Sequence, residues 1–193
     1  GLKELKIEIS KYLDRKYGMK YNYNNEIMVT VGGSEGIDMA LRAMLDPGDE
    51  VIIPQPSYVS YEPCTVLAGG KPVIVELKEE NQFRLTAEEL EEAITPKSKI
   101  LIMPFPNNPT GAVMELNDIE AIAKVVKEHD LYVITDEIYS ELTYLEKHVS
   151  IASLPGMKER CVLINGFSKA YAMTGWRLGY ACAPKEILSQ MLK

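Results

Sequence analysis

The 193-residue sequence is poor in the residues that build metal centres and disulfide frameworks, with three cysteines and two histidines. Cys64, Cys161 and Cys182 lie far apart, their number is odd, and no Cys-x-x-Cys spacing occurs. Neither a disulfide scaffold nor a zinc site is indicated, the cysteines read as small core filler, and a reducing cytoplasm is the expected compartment. His129 and His148 are too isolated to form a metal centre. No apolar run approaches the roughly 20 residues of a membrane span. Basic residues are outnumbered, 21 Lys and Arg against 28 Asp and Glu for a net charge of −7. That balance argues against nucleic acid or an anionic membrane as the main partner. The chain opens Gly1-Leu2-Lys3, with neither an initiator Met nor a signal-peptide pattern, and is expected to be an excised piece.

Hydrophobic residues make up 46% and charged residues 25%, ordinary globular usage that excludes collagen-like and disordered chains. Leu2, Leu5, Ile9, Tyr12 and Leu13 recur at helical spacing and predict an amphipathic helix ending near Gly18. Residues 27–31 read as a buried strand. Ile37, Ala40, Leu41 and Met44 then mark a helix stopped by the Asp46-Pro47-Gly48-Asp49 turn. Further apolar runs predict strands at 51–53, 72–75, 100–103, 131–135, 161–164 and 178–182. Two helix starts carry potential capping boxes, Thr86 with Glu89 and Asn117 with Glu120. Strands alternating with helices predict an α/β fold, a three-layer α/β/α sandwich around a mostly parallel seven-stranded sheet. The short connection before the last strand allows that strand to run antiparallel.

In open α/β sheets ligands bind beyond the carboxyl ends of the strands, so the residues that follow each apolar run carry the information. They are Gly32-Gly33-Ser34-Glu35, then Pro104 through Gly111, then Asp136-Glu137-Ile138-Tyr139, then Asn165-Gly166-Phe167-Ser168-Lys169, with Arg177 shortly after. The Gly-Gly-Ser turn opening a helix suits a phosphate, yet it matches neither GxGxxG nor a Walker A loop, and taken alone it reads first as a tight strand-to-helix turn. Taken singly, Asp136 reads as a helix cap or solvated carboxylate and Lys169 as a surface lysine. Together, a lysine, an acidic partner for a protonated ring nitrogen and a phosphate cradle on one edge are what pyridoxal phosphate requires.

The stretch Gly166-Phe167-Ser168-Lys169-Ala170-Tyr171-Ala172-Met173-Thr174-Gly175-Trp176-Arg177-Leu178-Gly179 resembles the lysine-site signature of class I/II, fold type I, pyridoxal-phosphate-dependent aminotransferases. Asn108-Pro109-Thr110-Gly111 and Asp136-Glu137-Ile138-Tyr139 resemble that family's other cofactor motifs, in the same order and over essentially the whole chain. The resemblance implies that Lys169 holds pyridoxal 5′-phosphate covalently and moves the substrate proton, that Asp136 keeps the ring nitrogen protonated, and that Tyr139 and Asn108 donate to the ring's 3′ oxygen. It also implies that Tyr58 stacks on the ring. Ser168, Arg177 and the backbone of Gly33, Ser34 and Glu35 would then grip the phosphate. Gly166 stands where many members carry a phosphate-binding serine.

By the same resemblance, residues 1–193 are the large cofactor domain of a cytoplasmic homodimer acting on an amino acid and a 2-oxo acid. An N-terminal segment and a C-terminal small domain, which carries an arginine for the substrate α-carboxylate, lie outside it. The piece is therefore expected to turn over poorly. Two other readings share these motifs: a carbon–sulfur lyase of the same fold, and the effector-binding domain of a transcription regulator.

Overall fold

The apolar runs conceal an alternation that only packing resolves. Ile100, Leu101, Ile102 and Met103 are all buried, but Ile100 and Ile102 join one apolar cluster with Ile37, Ala40 and Leu41, while Leu101 and Met103 join another with Ile119, Ile122 and Val126. A strand covered on both faces needs no polar residues, so its period of two is invisible in the sequence.

The computed structural model describes residues 1–144 and 147–193. The strands are β1 (Ile27–Thr30), β2 (Glu50–Gln55), β3 (Lys71–Glu76), β4 (Ser98–Met103), β5 (Tyr132–Asp136), β6 (Cys161–Gly166) and β7 (Gly179–Cys182). Among the described residues they form one sheet in the order β1-β7-β6-β5-β4-β2-β3. The expected strands are all present, with ends shifted by at most two residues. β2, β3, β4, β5 and β6 run parallel, whereas β7 is antiparallel to both its neighbours, β1 and β6.

The helices are α1 (Lys3–Tyr17), α2 (Gly32–Met44), α3 (Tyr61–Leu67), α4 (Ala87–Ala93), α5 (Leu116–Glu128) and α6 (Lys185–Met191). α1, α4 and α5 contribute to one cluster, and α2, α3 and α6 to the other, which gives the three layers expected. Gly18 closes α1 in the left-handed conformation, its N–H reaching the Asp14 carbonyl and the Met19 N–H that of Leu13. The Thr86–Glu89 capping box forms as predicted.

One expectation about helices needs correction. α5 is capped by Glu115 and Asp118, not by Asn117 and Glu120. The helix begins earlier because Asp118 accepts the Glu115 N–H at 3.0 Å, and Arg84 Nη1, 2.9 and 3.0 Å from the two carboxylates, makes that acidic pair tolerable. The seven-residue helices α3 and α6 were not legible as periodic segments. Pro63 falls in the first turn of α3, where no backbone N–H is needed, and burial of Tyr61 anchors that helix.

Candidate active site

Because β1, β2, β4, β5 and β6 share a direction, the loops that follow them emerge at one edge. β7 runs the other way, so it is the residues preceding it, Arg177 among them, that arrive at the same edge. A cavity of about 240 Å³ lies there, and Gly33, Ser34, Tyr58, Asn108, Asp136, Tyr139, Ser168, Lys169 and Arg177 all line it. Of the residues singled out in the sequence, Glu35 alone does not. Its carboxylate turns back to accept the Val31 N–H at 2.6 Å, at the start of α2.

Asp136 closes β5 and is buried. Tyr61 donates its hydroxyl to Asp136 Oδ2 at 2.8 Å, and the Ile138 N–H reaches Oδ1 at 3.2 Å. Burial nevertheless dominates and pushes the carboxyl up to about 6, with the charge of Glu137 adding to the rise. Tyr58 stands edge-on to Tyr61, with ring centroids 5.6 Å apart, and its hydroxyl lies 3.4 Å from Ser34 Oγ. Lys169 Nζ sits 5.6 Å from the centre of the Tyr139 ring.

At the other end of the cavity lie Gly33 and Ser34 in the first turn of α2, where backbone N–H groups have no partner within the helix, a ready anion site. Gly32 precedes them at φ +73°, and a Cβ there would land 2.5 Å from Arg177 Nη2. Only glycine lets the guanidinium lie across this turn. Arg177 is itself left-handed, with φ 50° and ψ 51°, and Nη1 donates to the Thr174 carbonyl at 3.1 Å. A non-glycine residue in this region stores strain of about 1–3 kcal/mol, which fits a residue placed for a ligand. Gly166 has a packing reason as well: a Cβ would meet Gly179 Cα and the Leu178 carbonyl at 3.0 Å, so a serine would press on the β7 backbone.

Sequence reading missed Tyr61 and Asn107. Tyr61 reads as an ordinary core aromatic, and nothing local announces that it meets Asp136. Asn107, also buried, donates from Nδ2 to the Pro56 carbonyl at 3.1 Å and so ties the loop bearing Asn108 to the loop bearing Tyr58. The assembled site offers an amine for a carbonyl, a buried carboxylate that lacks a cation, an aromatic wall, and an anion cradle.

A family model for aminotransferase class I and II matches residues 1–193. Aspartate aminotransferase of Pyrococcus abyssi is 50% identical over 194 residues, covering 100% of this chain and 50% of that protein. Aromatic-amino-acid aminotransferase 2 of Thermococcus litoralis is 46% identical over 194 residues, with the same two coverages. The crystal structure of an aromatic aminotransferase from Pyrococcus horikoshii superposes with a TM-score of 0.98 at 49% identity, covering 100% of this chain and 52% of that one. The chain thus spans about half the length of the relatives it matches. A family match that runs from the first residue to the last, together with a solved structure of the same fold, places the chain in the class I and II aminotransferase family.

Proposed function

We propose that this chain holds pyridoxal 5′-phosphate and serves the transfer of an amino group between an amino acid and a 2-oxo acid. The observation that carries this reading is the convergence on one cavity of Lys169, the buried Asp136, and the α2 N-terminus backed by Arg177. The donor set fits the cofactor. Asp136 is a buried carboxylate raised to about 6 and paired with no cation, a deficit that a protonated ring nitrogen removes. The absence of a side chain at Gly32 lets the Arg177 guanidinium lie across the start of α2, where it can meet a phosphate.

The cofactor, when bound, supplies an electron sink for a carbanion at the substrate α-carbon. Asp136 maintains the proton on the ring nitrogen. Lys169 would hold the cofactor covalently, and its Nζ, when free, would take the proton from the substrate α-carbon. Tyr139 and Asn108 donate to the ring oxygen, and Tyr58 offers its face to the ring. Gly33, Ser34 and Ser168 bind the phosphate together with Arg177, whose planar guanidinium suits paired bonds to phosphate oxygens. Residues 1–193 thereby form the cofactor-binding domain of an aminotransferase, and capture of the substrate α-carboxylate falls to the half of the family length outside this chain. We also propose pairing with a second copy, because Val31, Val59 and Trp176 are 59%, 81% and 74% exposed on loops beside the cavity. Unpaired thiols at Cys64, Cys161 and Cys182 agree with a cytoplasmic setting.

The direct test is to mix the chain with pyridoxal 5′-phosphate, reduce with borohydride and map the peptides. One dominant adduct on Lys169 is expected; label scattered over surface lysines would sink the reading.

A further inference from the structure

Asp136 is followed by a second acidic residue that takes no part in the cavity. Glu137 is fully buried and belongs to the opposite face of the sheet. Where Asp136 meets Tyr61, Glu137 meets Thr135, His148 and Ser150. Its Oε1 accepts from Ser150 Oγ at 2.6 Å and from Thr135 Oγ1 at 3.1 Å, and its Oε2 lies 3.0 Å from His148 Nε2. That last pair is close but lies off the line of a hydrogen bond. His148 is buried too, with Tyr17 edge-on at 5.9 Å. Burial first, and Glu137 second, push up the Cys161 and Cys182 thiols and the Tyr17 phenol.

A buried charge is expensive, and an apolar residue of similar volume would serve packing alone at lower cost. What distinguishes Glu137 is its backbone. Its N–H donates to the Ile164 carbonyl at 2.8 Å, and its carbonyl accepts the Ser140 N–H at 2.9 Å. Ser140 Oγ in turn accepts from Asn165 Nδ2 at 3.1 Å, and Asn165 Oδ1 accepts the Gly166 N–H at 2.7 Å. The four-residue turn at 137–140 is thus held at both ends, and from it Ile138 and Tyr139 line the cavity, with the Tyr139 ring 5.6 Å from Lys169 Nζ.

We propose that Glu137 is a positioning residue, whose carboxylate, fixed by Ser150, Thr135 and His148, locks the 137–140 turn and so aims Tyr139 into the cavity. This rests on the reading of the cavity as a pyridoxal phosphate site. Two of these partners, His148 and Ser150, connect the turn to residues 148–150, so that segment and Tyr139 are held by one carboxylate.

The test is a double-mutant cycle on the intact protein, titrated with pyridoxal 5′-phosphate and followed by visible absorption and visible circular dichroism. Glu137→Gln should weaken binding roughly three- to tenfold, less than the loss of a direct hydrogen bond to a charged group, because the change reaches the cofactor only through the turn. Its dichroic band should resemble that of Tyr139→Phe. The double variant should bind no more weakly than Tyr139→Phe alone, because both changes remove one interaction. Additive losses, or a Glu137→Gln protein that melts earlier while keeping wild-type affinity and band, would overturn the proposal. Should Glu137→Gln not fold, Ser150→Ala carries the same cycle, with a smaller non-additive loss expected and an additive one overturning it. A wild-type protein with no band from cofactor on Lys169 defeats the cavity reading and this proposal together, whereas a normal wild-type band with insensitivity to both variants defeats the proposal alone.

Discussion

Tyr61 donates its phenolic hydrogen to Asp136 Oδ2 across 2.8 Å, joining two residues 75 positions apart. It is the side-chain bond that steadies a carboxylate otherwise raised by its own burial. Tyr61→Phe keeps the ring and removes the donor. A hydrogen bond to a charged group contributes about 1.5–3 kcal/mol, so cofactor affinity should fall by roughly ten- to a hundredfold. The melting temperature should change little. Fluorescence titration beside a thermal melt checks both, and unchanged affinity would remove Tyr61 from the site.

Burial of Asp136 also makes a pH prediction for the chain free of cofactor. Its folded carboxyl sits at about 6, against 3.8 when unfolded. Between these values the folded state binds more protons than the unfolded state, so stability must fall as pH rises through that window. By neutral pH the ionised group costs about 3 kcal/mol. Asp136→Asn should therefore stabilise the cofactor-free chain at pH 7.5, have little effect at pH 4, and weaken cofactor binding. Urea unfolding of both proteins at the two pH values measures this; a variant less stable at pH 7.5 would contradict it.

The turn before α2 tolerates no side chain from β7. At Gly179 a Cβ would fall 2.5 Å from the Gly32 carbonyl carbon and 2.7 Å from the Gly33 nitrogen, both backbone atoms. Gly179→Ala should destabilise the chain by about 3 kcal/mol and abolish tight cofactor binding. Gly33→Ala is the control, since its Cβ meets only the Ile164 methyl at 3.3 Å and should be far milder. Chemical denaturation of the two variants in parallel decides the matter, and equal stabilities would show that the turn moves freely.

The exposed rim of the cavity predicts association. Trp176, Val59 and Val31 would be covered in a pair of chains. Sedimentation velocity should show a dimer at micromolar concentration, and Trp176→Asp should shift it toward monomer. A wild-type monomer at high concentration would count against pairing through this face.

Local pattern was enough to locate the seven strands, the opening helix with its Gly18 stop, and the residues clustered after strand ends. Each rests on a nearby signal: an apolar run, a period of 3.6, or a turn residue. The Lys169, Asp136 and Asn108 motifs were likewise contiguous, so their likeness to a family could be read directly. Whether those strand ends share one edge depends on strand direction, and the reversal of β7 that delivers Arg177 was only an allowance in the sequence. The Tyr61–Asp136 bond, the Asn107 tie to Pro56 and the Arg84 bridge to Glu115 and Asp118 were decided by tertiary structure alone. So was the choice of face that sends Asp136 to the cavity and Glu137 into the network with His148. A sequence records which polar groups exist, but their partners lie tens of residues away, and burial, which determines what each pairing does to charge and stability, is a property of the packed sheet.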